Sequence, residues 1–403
     1  MALVWSPGVE QVDDSELISR VEAMTYEGRQ PLQESQISML GELSKRLLQE
    51  SDAQRSAQYV ALGYWLRPAA LRRQSANLGE GISPDSVRVP RGVALHLPPT
   101  NVDTIFVYSW AISVLAGNTN VVRLAERLSP ETSRLVSLVA SVVAAHAESD
   151  RHIFCHYRYG GETERAISRH CDLRTVWGGD AKVEAVTRTS IRPDGLSIGF
   201  PDRKSLAIIS TDAYREADPS VRDKLAASFF NDVFWFDQMG CGSPRLIVWL
   251  GEPAELAADF YSRLNRTIAE RRYAIATGTV IEKFVTANEL LARDVVTRYL
   301  HLGNALDVCR TLEPIVALES TQGGGFLCEW VAKSMDDIPP IVSRKVQTIT
   351  HFGIASEELL RLAKGISGRG GYRIVPVGEA LQFDSTWDGI NLFEHMTRRV
   401  VVR

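Results

Sequence analysis

A cysteine held between two glycines is the residue of this chain best suited to covalent chemistry. Cys241 lies in residues 238–244 (QMGCGSP), after a helical pattern over residues 221–230 and before an apolar run over residues 245–250. Glycine lets the backbone approach a substrate closely, and a cysteine thiolate can carry an acyl group through a covalent intermediate. The alternative is a small buried cysteine in a tight turn that Pro244 closes.

The composition indicates a globular protein of two domains. At 403 residues the chain exceeds a typical single core, and its net charge of −4 gives no electrostatic case for nucleic acid. No signal peptide or apolar membrane span is evident, so we expect a cytoplasmic protein. The cysteines are odd in number and widely spaced, which favours reduced thiols over disulfides or a metal site. They are Cys155, Cys171, Cys241, Cys309 and Cys328.

Strand-like and helical segments alternate after residue 90, which predicts an α/β fold with parallel sheets. Helical spacing covers residues 36–48 and 54–66, and a connector covers residues 79–90. The strands predicted next are residues 92–97, 120–124, 153–157, 173–176 and 206–210. The longer helices predicted between them are residues 104–116 and 130–146.

A second α/β region begins near Cys241. Its predicted elements are strands at residues 245–250, 311–318 and 345–350 and a helix at residues 254–267. The tail has strand-like runs at residues 373–377 and 400–402. These return to the first domain or pair with another subunit.

Two further stretches lie upstream of Cys241: residues 97–102 (LPPTNV) and 116–124 (AGNTNVVRL). Together with the cysteine loop they resemble the aldehyde dehydrogenase superfamily. More closely, the chain resembles its acyl-CoA reductase branch, typified by the fatty-acid reductase of bacterial bioluminescence. Shorter matching pieces are residues 63–67 (GYWLR), 176–180 (VWGGD), 375–381 (VPVGEAL) and 387–389 (WDG).

The resemblance implies an aldehyde dehydrogenase-like fold with a Rossmann-type cofactor domain, an α/β catalytic domain and a small oligomerisation element. We therefore expect a homo-oligomer. Residues 1–90 are expected to form the N-terminal helical part of the cofactor domain and residues 91–235 its Rossmann-like core. Residues 236–372 are expected to form the catalytic domain, and residues 373–403 a C-terminal return and oligomerisation segment.

Asn101 matches the superfamily position whose side-chain amide donates to the oxyanion of the tetrahedral intermediate. The backbone N–H of Cys241 is the natural second donor. Each preorganised donor of this kind is worth about 3–4 kcal/mol. Taken without the resemblance, Asn101 after two prolines is a turn residue.

Arg123 and Glu126 match the strand end that contacts the adenosine ribose in the superfamily. Arg123 suits the 2′-phosphate of NADPH, which the reductase branch commonly uses. Glu126 stands where NAD-preferring members place a ribose-binding carboxylate, which would repel that phosphate. A plain surface ion pair between the two is the remaining alternative. We expect NADPH, with NADH as the second choice.

Gly178 and Gly179 follow a predicted strand and open a helix, where backbone N–H groups suit a pyrophosphate. The superfamily often has Gly-Ser at this point, so the second glycine is a departure from its pattern. A third glycine-rich segment, residues 323–325, we interpret as a structural turn.

An absent glutamate indicates the direction of the reaction. Hydrolytic aldehyde dehydrogenases carry a glutamate base upstream of the cysteine, but the matching residues here, 200–206 (FPDRKSL), contain none. Without that base, water attacks a thioacyl-enzyme poorly. His351 could assist proton transfer or be structural. We interpret His96, inside an apolar strand, as a core residue with its hydrogen bonds satisfied.

The activity implied is NAD(P)H-dependent reduction of an acyl thioester to an aldehyde, with CoA as leaving group and no metal. The first alternative is oxidation of an aldehyde to an acid or acyl-CoA. The second is a non-catalytic partner of an acyl-activating ligase. Because the bioluminescence reductases receive acyl groups from an acyl-protein synthetase, a comparable ligase is the expected partner.

Overall fold

The computed structural model describes residues 1–6, 8–24, 29–49, 57–79, 85–320 and 323–403. Two compact units are found among them. The first comprises Met1–Pro201 with Phe383–Arg403, and the second Asp202–Gln382. Each unit contains its own seven-stranded sheet with helices in the connections. The α/β class predicted from the alternation of strand and helix patterns is confirmed.

The N-terminal part of the first unit supplies its whole seven-stranded sheet. Its elements are β1 (Ala2–Ser6), β2 (Gly8–Val12), α1 (Asp14–Glu22), α2 (Glu34–Gln49), α3 (Ala57–Trp65), α4 (Pro68–Gly79), β3 (Ser86–Pro90), β4 (Val93–Leu97), α5 (Ile105–Leu115), β5 (Thr119–Arg123), α6 (Pro130–Ala144), β6 (His152–His156), α7 (Glu162–His170), β7 (Leu173–Trp177), α8 (Asp180–Thr187) and β8 (Leu196–Phe200).

The second unit forms the other seven-stranded sheet. Its elements are β9 (Lys204–Ser210), α9 (Thr211–Glu216), α10 (Pro219–Phe234), β10 (Pro244–Leu250), α11 (Glu255–Glu270), α12 (Thr277–Ala292), β11 (Val296–His301), β12 (Asp307–Thr311), α13 (Pro314–Ser320), β13 (Phe326–Ala332), α14 (Ile338–Ile341), β14 (Val346–Phe352), α15 (Ser356–Gly365) and β15 (Arg373–Pro376). The chain ends in the first unit with β16 (Thr386–Trp387), β17 (Ile390–Asn391), α16 (Leu392–Met396) and β18 (Thr397–Val401).

The first sheet has the order β2-β1-β6-β5-β4-β7-β8, and β4 to β8 pair in parallel. From β4 the chain builds β5 and β6 on one side and then β7 and β8 on the other. Every residue of α5, which connects β4 to β5, is buried. Ligands of open α/β sheets bind beyond the carboxyl ends of the strands at such a switch in strand order. The β4–β7 edge is therefore where a cofactor site is expected.

The second sheet has the order β11-β12-β13-β10-β9-β14-β15, and its pairs are parallel except for β11 with β12. Its interior strand β9 is covered on both faces. Leu206 and Ile208 pack into one apolar cluster, while Ala207 and Ile209 pack into another. This explains why β9 appears in the sequence as a continuous apolar run with no alternation.

The units divide at Pro201–Asp202, which differs from the boundary expected at residues 235–236. Strand β9 pairs with β10 and β14, so residues 206–210 belong to the second sheet. The tail is also divided. β15 extends the second sheet beside β14, whereas β18 returns to the first unit and pairs with β3. Hydrophobic periodicity identifies a strand but not the sheet that it joins.

One predicted strand is wrong. Residues 311–318 were expected to be extended, but β12 ends at Thr311 and α13 begins at Pro314. Proline favours the first position of a helix, and the Thr311 hydroxyl accepts a hydrogen bond from the Glu313 N–H at 2.9 Å. The apolar run Ile315–Leu318 is therefore helical. Parts of two other predicted segments, residues 54–56 and 80–84, lie outside the described residues.

Candidate active site

Cys241 lies between the end of α10 and the start of β10, in a loop that a buried glutamine holds in place. Asp237 and Gln238 have φ values of 49° and 60°, a region that few non-glycine residues adopt. The Gln238 side chain donates to the carbonyls of Pro244 and Phe326 at 2.9 and 3.0 Å. Its Oε1 accepts from Gly325 N–H at 2.9 Å. One amide thus joins the cysteine loop to the starts of β10 and β13.

The glycine segment 323–325 packs directly against this loop. Gly324 N–H donates to the Asp237 carbonyl at 2.8 Å. A Cβ added at Gly323 would lie 2.7 Å from the Asp237 carbonyl oxygen and 2.8 Å from Met239 Sδ. The turn interpretation therefore misses a contact. The segment needs glycine because its backbone supports the loop that carries the cysteine.

The two glycines beside Cys241 make room for the protein's own chain. A Cβ at Gly242 would lie 2.5 Å from the Ala380 carbonyl oxygen, a backbone atom. A Cβ at Gly240 would lie 3.0 Å from Leu381 Cδ2, the end of a flexible side chain. The segment that follows β15 therefore crosses the cysteine loop at close range. At Gly242 the need for glycine is set by this crossing.

Ser205 fixes the backbone of Cys241 to the sheet. Its hydroxyl donates to the Cys241 carbonyl at 2.6 Å and accepts from Thr348 N–H at 3.0 Å. Ser205 is fully buried near the start of β9, and Thr348 lies near the start of β14. The cysteine therefore lies at the edge formed by the amino ends of β10, β9 and β14.

The five cysteines differ sharply in environment. Cys241 is half-buried and the other four are buried. Burial raises the pKa of Cys155 and of Cys309 to about 12, and it also raises the pKa values of the other two, Cys171 and Cys328. Thiolate is the nucleophilic form, so the buried thiols are poorly suited to attack.

Two cations act on the Cys241 sulfur. Burial lowers the pKa values of Lys204 and Arg245, and the negative charge of a Cys241 thiolate opposes that effect in both. Because an electrostatic interaction is mutual, the two cations favour the thiolate of Cys241. Arg245 is itself held by a hydrogen bond to the Gln238 carbonyl at 3.1 Å. The second unit thus contains a candidate nucleophile with its own positive surroundings.

Asn101 belongs to the first unit and Cys241 to the second. Asn101 is exposed and lies between the end of β4 and the start of α5. It therefore follows the carboxyl end of β4, the strand at the switch in strand order. In the first unit it is therefore a surface residue and not a core residue.

Arg123 ends β5 at the same edge and is already held there. Its guanidinium donates to the Tyr157 carbonyl at 3.1 and 3.3 Å. It also lies 5.5 and 5.6 Å from the ring centroids of Tyr157 and Tyr159. Glu126 is exposed, and no ion pair joins it to Arg123 in the part of the chain that the structure describes. The surface-pair alternative is therefore not the arrangement found.

Gly178 and Gly179 lie between β7 and α8, beside a lysine that the sequence analysis missed. Lys182 donates to the Pro98 carbonyl at 2.7 Å, which joins the β7 and β4 ends of the sheet. A Cβ at Gly178, whose φ is +152°, would lie 2.8 Å from Lys182 Cδ. Burial lowers the pKa of Lys182 to about 8, with a smaller contribution from Arg123. The one sequence signal that could have indicated it is its place in the first turn of the helix that follows Gly178 and Gly179.

This edge suits a nicotinamide dinucleotide. The amino end of α8, two glycines, and the cations of Lys182 and Arg123 gather where phosphates bind in open α/β sheets. No group of three or more His, Cys, Asp or Glu that could hold a metal occurs among the described residues. No helix in the same described ranges is long and apolar enough to cross a membrane.

The stretch matched to the superfamily's general-base segment, residues 200–206, begins with a packed aromatic ring and contains no glutamate. Phe200 ends β8 and stacks on Trp177 with ring centroids 3.8 Å apart. Asp202, two residues later, has its carboxylate 3.8 Å from Lys204 Nζ.

The two histidines have different surroundings. His351 lies near the carboxyl end of β14, about 10 Å along the strand from Thr348 and away from the edge that carries Cys241. That position argues against its role in proton transfer at the thiol. His96 is fully buried and hydrogen-bonded to Ser109 and Asn120 at 2.8 and 3.0 Å. Burial lowers its pKa to about 4, so it is the satisfied core residue predicted.

Solved aldehyde dehydrogenases share this fold over almost the whole chain. Lactaldehyde dehydrogenase gives a TM-score of 0.68 at 14% identity, covering 97% of this chain and 90% of that one. An NAD-dependent aldehyde dehydrogenase from Sinorhizobium meliloti gives 0.67 at 13% identity, covering 98% and 88%. The glyceraldehyde-3-phosphate dehydrogenase GapN from Methanocaldococcus jannaschii, in complex with NADP, gives 0.67 at 11% identity, covering 96% and 93%. The chain therefore has an aldehyde dehydrogenase-like fold, as predicted.

A family comparison is more specific than the fold. The model of the acyl-CoA reductase (LuxC) family matches residues 83–277, which include Asn101, Gly178 and Cys241. The resemblance drawn from the short motifs is thus confirmed, and it supports an oxidoreductase acting on aldehyde or acyl groups. No curated protein sequence matches the chain.

Proposed function

We propose that this protein reduces an acyl thioester to an aldehyde with NAD(P)H, through a thioacyl intermediate on Cys241. The observation that carries the proposal is the contrast among the cysteines. Cys241 is half-buried, lies at a sheet edge and is favoured as thiolate by Lys204 and Arg245, whereas the other four thiols are buried. Within an acyl-CoA reductase-like region, such a thiol is suited to accept an acyl group.

The first half-reaction transfers the acyl group. The Cys241 thiolate attacks the thioester carbonyl carbon, a new C–S bond forms, and the carbonyl oxygen becomes an oxyanion. Asn101 and the backbone N–H of Cys241 are the proposed oxyanion donors. When the oxyanion collapses, the bond to the leaving thiol breaks and CoA departs as thiolate, which takes a proton from water.

The second half-reaction reduces the acyl group on Cys241. A bound nicotinamide dinucleotide supplies the hydride. The resulting thiohemiacetal on Cys241 loses its C–S bond, which releases the aldehyde and returns the thiolate. Gly178 and Gly179 at the start of α8 are proposed to hold the pyrophosphate, with Lys182 as an additional cation.

NADPH is the proposed cofactor, with NADH as the alternative. Arg123 provides a guanidinium at the strand end expected to meet the ribose, which supports a 2′-phosphate. Glu126 at the same place supports NADH. The Glu126 side chain is exposed, whereas Arg123 is fixed by Tyr157 and Tyr159. A fixed cation is the better-defined determinant.

The proposed direction of the reaction follows from the lack of a glutamate in residues 200–206. Phe200, at the start of that stretch, packs on Trp177, and without a glutamate there the thioacyl-enzyme should be hydrolysed poorly. With aldehyde and oxidised cofactor but no thiol, we expect at most one turnover. Adding CoA should restart the reaction because it replaces water as acyl acceptor. Sustained formation of free carboxylic acid without a thiol would instead move the protein to the hydrolytic aldehyde dehydrogenases.

Labelling tests the covalent step directly. After incubation with a labelled acyl-CoA without cofactor, peptide mass mapping should find the label on Cys241. Cys309→Ala removes a buried thiol and is the matched control, because it should keep the label. Label retained by Cys241→Ala would contradict the assignment and favour a non-catalytic role for this loop.

The bioluminescence reductases that the chain resembles work with an acyl-protein synthetase. We therefore propose that an acyl-activating ligase is a second source of acyl groups, and that the protein acts as a cytoplasmic homo-oligomer. Co-purification with such a ligase, and acyl transfer from it to Cys241 without free CoA, would test the partner.

A further inference from the structure

A second set of cations lies near the amino-terminal ends of the strands of the second sheet, which is also where Cys241 lies. Strands β10, β9, β14 and β15 are neighbours in this order. Cys241 precedes β10, Arg203 precedes β9, Arg344 precedes β14 and Tyr372 precedes β15. Adjacent strands are about 4.8 Å apart, so the starts of β14 and β15 lie on the order of 10–15 Å from that of β10. A ligand that follows this edge reaches both places.

The residues beside β14 and β15 line a cavity of about 520 Å³ in the second unit. Three arginines, Arg203, Arg344 and Arg369, contribute to its lining, and no acidic residue does. The arginines come from three separate segments of the chain. The cavity is therefore positive because the fold gathers these segments, not because of a local run of charge.

Glycines shape one wall of this cavity. Gly368 and Gly371 have φ values of +75° and +69°. A Cβ at Gly370 would lie 2.2 Å from the Ser343 carbonyl oxygen and 2.6 Å from that of Val346. The loop between α15 and β15 is thus built to lie close against the segment that carries Arg344. Its geometry is fixed by backbone contacts, so the cavity is a formed feature of the unit.

The arginines differ in how far they are already engaged. Arg203 donates to the Arg344 backbone carbonyl, and Arg369 donates to the Pro339 carbonyl at 3.3 Å. The Arg344 guanidinium is exposed and contacts no acceptor among the residues that the structure describes. Tyr372 is 43% exposed, with the Arg203 guanidinium 5.8 Å from its ring centroid. Guanidinium groups beside an open aromatic face suit a phosphorylated nucleotide.

We propose that this cavity binds the 3′-phospho-ADP portion of CoA while the thioester end reaches Cys241. The inference rests on the proposed function, since a CoA thioester has its phosphates at one end and its acyl sulfur at the other, joined by a flexible pantetheine arm. The arginines would neutralise the phosphates, and Tyr372 would stack on the adenine. The nicotinamide cofactor is assigned to the first unit, so the proposed sites for the two nucleotides belong to different units.

The test compares two thioesters that carry the same acyl group. Acyl-CoA has the phosphates, and the N-acetylcysteamine thioester lacks them. Arg344→Gln should raise KM for acyl-CoA about tenfold, because one charge-assisted contact is lost, and leave kcat unchanged. KM for the phosphate-free thioester and for NADPH should stay constant. The control is Arg298→Gln. Arg298 is an exposed arginine on β11, the outermost strand on the side of the sheet opposite β15, and its replacement should change none of these values.

Three kinetic results would overturn the proposal. Equal increases in KM for both thioesters would show general damage, and an increase in KM for NADPH would assign the cavity to the cofactor. An unchanged KM for acyl-CoA in Arg344→Gln and in the double variant with Arg369→Gln would show that no phosphate binds there.

Direct binding separates this proposal from the proposed function. CoA binding to the Cys241→Ala protein needs no turnover, and we expect Arg344→Gln to weaken it about tenfold. Adenosine 3′,5′-bisphosphate should compete with CoA for the same site. Competition by 4′-phosphopantetheine but not by the bisphosphate would overturn the assignment to the nucleotide end. If wild-type protein bound CoA at this cavity yet reduced neither thioester, the proposed function would fail while the site remained.

Discussion

The two sheets carry their candidate residues at opposite ends of parallel strands. In the first unit, Asn101 follows β4, Arg123 ends β5 and Gly178 follows β7, so all three lie at carboxyl ends. In the second unit, Cys241 precedes β10 and Lys204 begins β9, so both lie at amino ends. One type of sheet thus supports two kinds of site in a single chain.

The difference shows which groups are available to build a site at each end of the parallel strands. Helices begin at a carboxyl edge, so the first unit can use the N–H groups of α8 and the positive end of its dipole. Helices end at an amino edge, and the negative end of α10 lies just before the cysteine loop. The second unit must therefore use cations to favour a thiolate and buried side chains, such as Gln238, to hold the loop.

The largest effect that would sharpen this comparison is expected in the first unit. Asn101→Ala should lower turnover on the order of 10²–10³-fold, because one oxyanion donor is lost. Cofactor affinity, measured by fluorescence titration, should stay nearly unchanged. Asn118→Ala is not a suitable control because that residue is buried, so Asn288→Ala on the exposed side of α12 is preferred. A loss of less than about threefold would make Asn101 a turn residue only.

The buried Gln238 side chain, which holds the cysteine loop in the second unit, should matter for stability as well as for activity. Gln238→Met keeps the volume but leaves two buried carbonyls and one N–H without their partner. We expect a loss of about 2–4 kcal/mol, detected as a lower denaturation midpoint. Gln11→Met, at an exposed position of β2, should leave the midpoint where it is. An unchanged midpoint in Gln238→Met would mean that the loop is held by other contacts.

The cation beside the thiol should affect its reactivity. Lys204→Met should slow alkylation of Cys241 by iodoacetamide at pH 7 about tenfold, because less thiolate is present. The rate–pH profile should move to higher pH. Lys333→Met, at the carboxyl edge of the same sheet, should leave the profile unmoved. Identical profiles for Lys204→Met and wild type would assign thiolate stabilisation to Arg245 alone.

The smallest effect concerns Lys182 and pH. Its pKa of about 8 means that it is a cation below that pH and neutral above it. If it contacts the cofactor pyrophosphate, cofactor affinity should fall a few-fold between pH 7 and pH 9. Lys182→Met should bind more weakly at pH 7 and lose this dependence, whereas Lys45→Met should keep it. A dependence that persists in Lys182→Met would belong to another group.

The sequence was informative where a residue type or local motif carried the signal. The Gly-Cys-Gly loop and the glycines before α8 are each visible in a short window of sequence. The alternation of strands with helices is visible as a series of such windows. The family resemblance depended on the order of such windows, and it suggested the role of Asn101, which stays a prediction.

What the sequence did not show depends on contacts between distant segments. Gln238 is one polar residue in a loop, and only the fold reveals that its amide meets Phe326 and Gly325. Residues 206–210 were recognised as a strand but assigned to the other sheet, since strand pairing is not a local property. The strand predicted at residues 311–318 was wrong because a short apolar run is compatible with both strand and helix. Pro314 at the first helical position favours the helix.

The backbone that crosses the cysteine loop limits how freely this protein can be redesigned. Any side chain at Gly242 meets the Ala380 carbonyl, whereas one at Gly240 meets only the movable end of Leu381. Libraries that aim to change acyl-chain preference can therefore vary position 240 but should keep position 242 as glycine. The Gly-Cys-Gly motif looks symmetrical in the sequence, but position 240 tolerates a side chain and position 242 does not. Among active relatives, position 240 should therefore vary more than position 242.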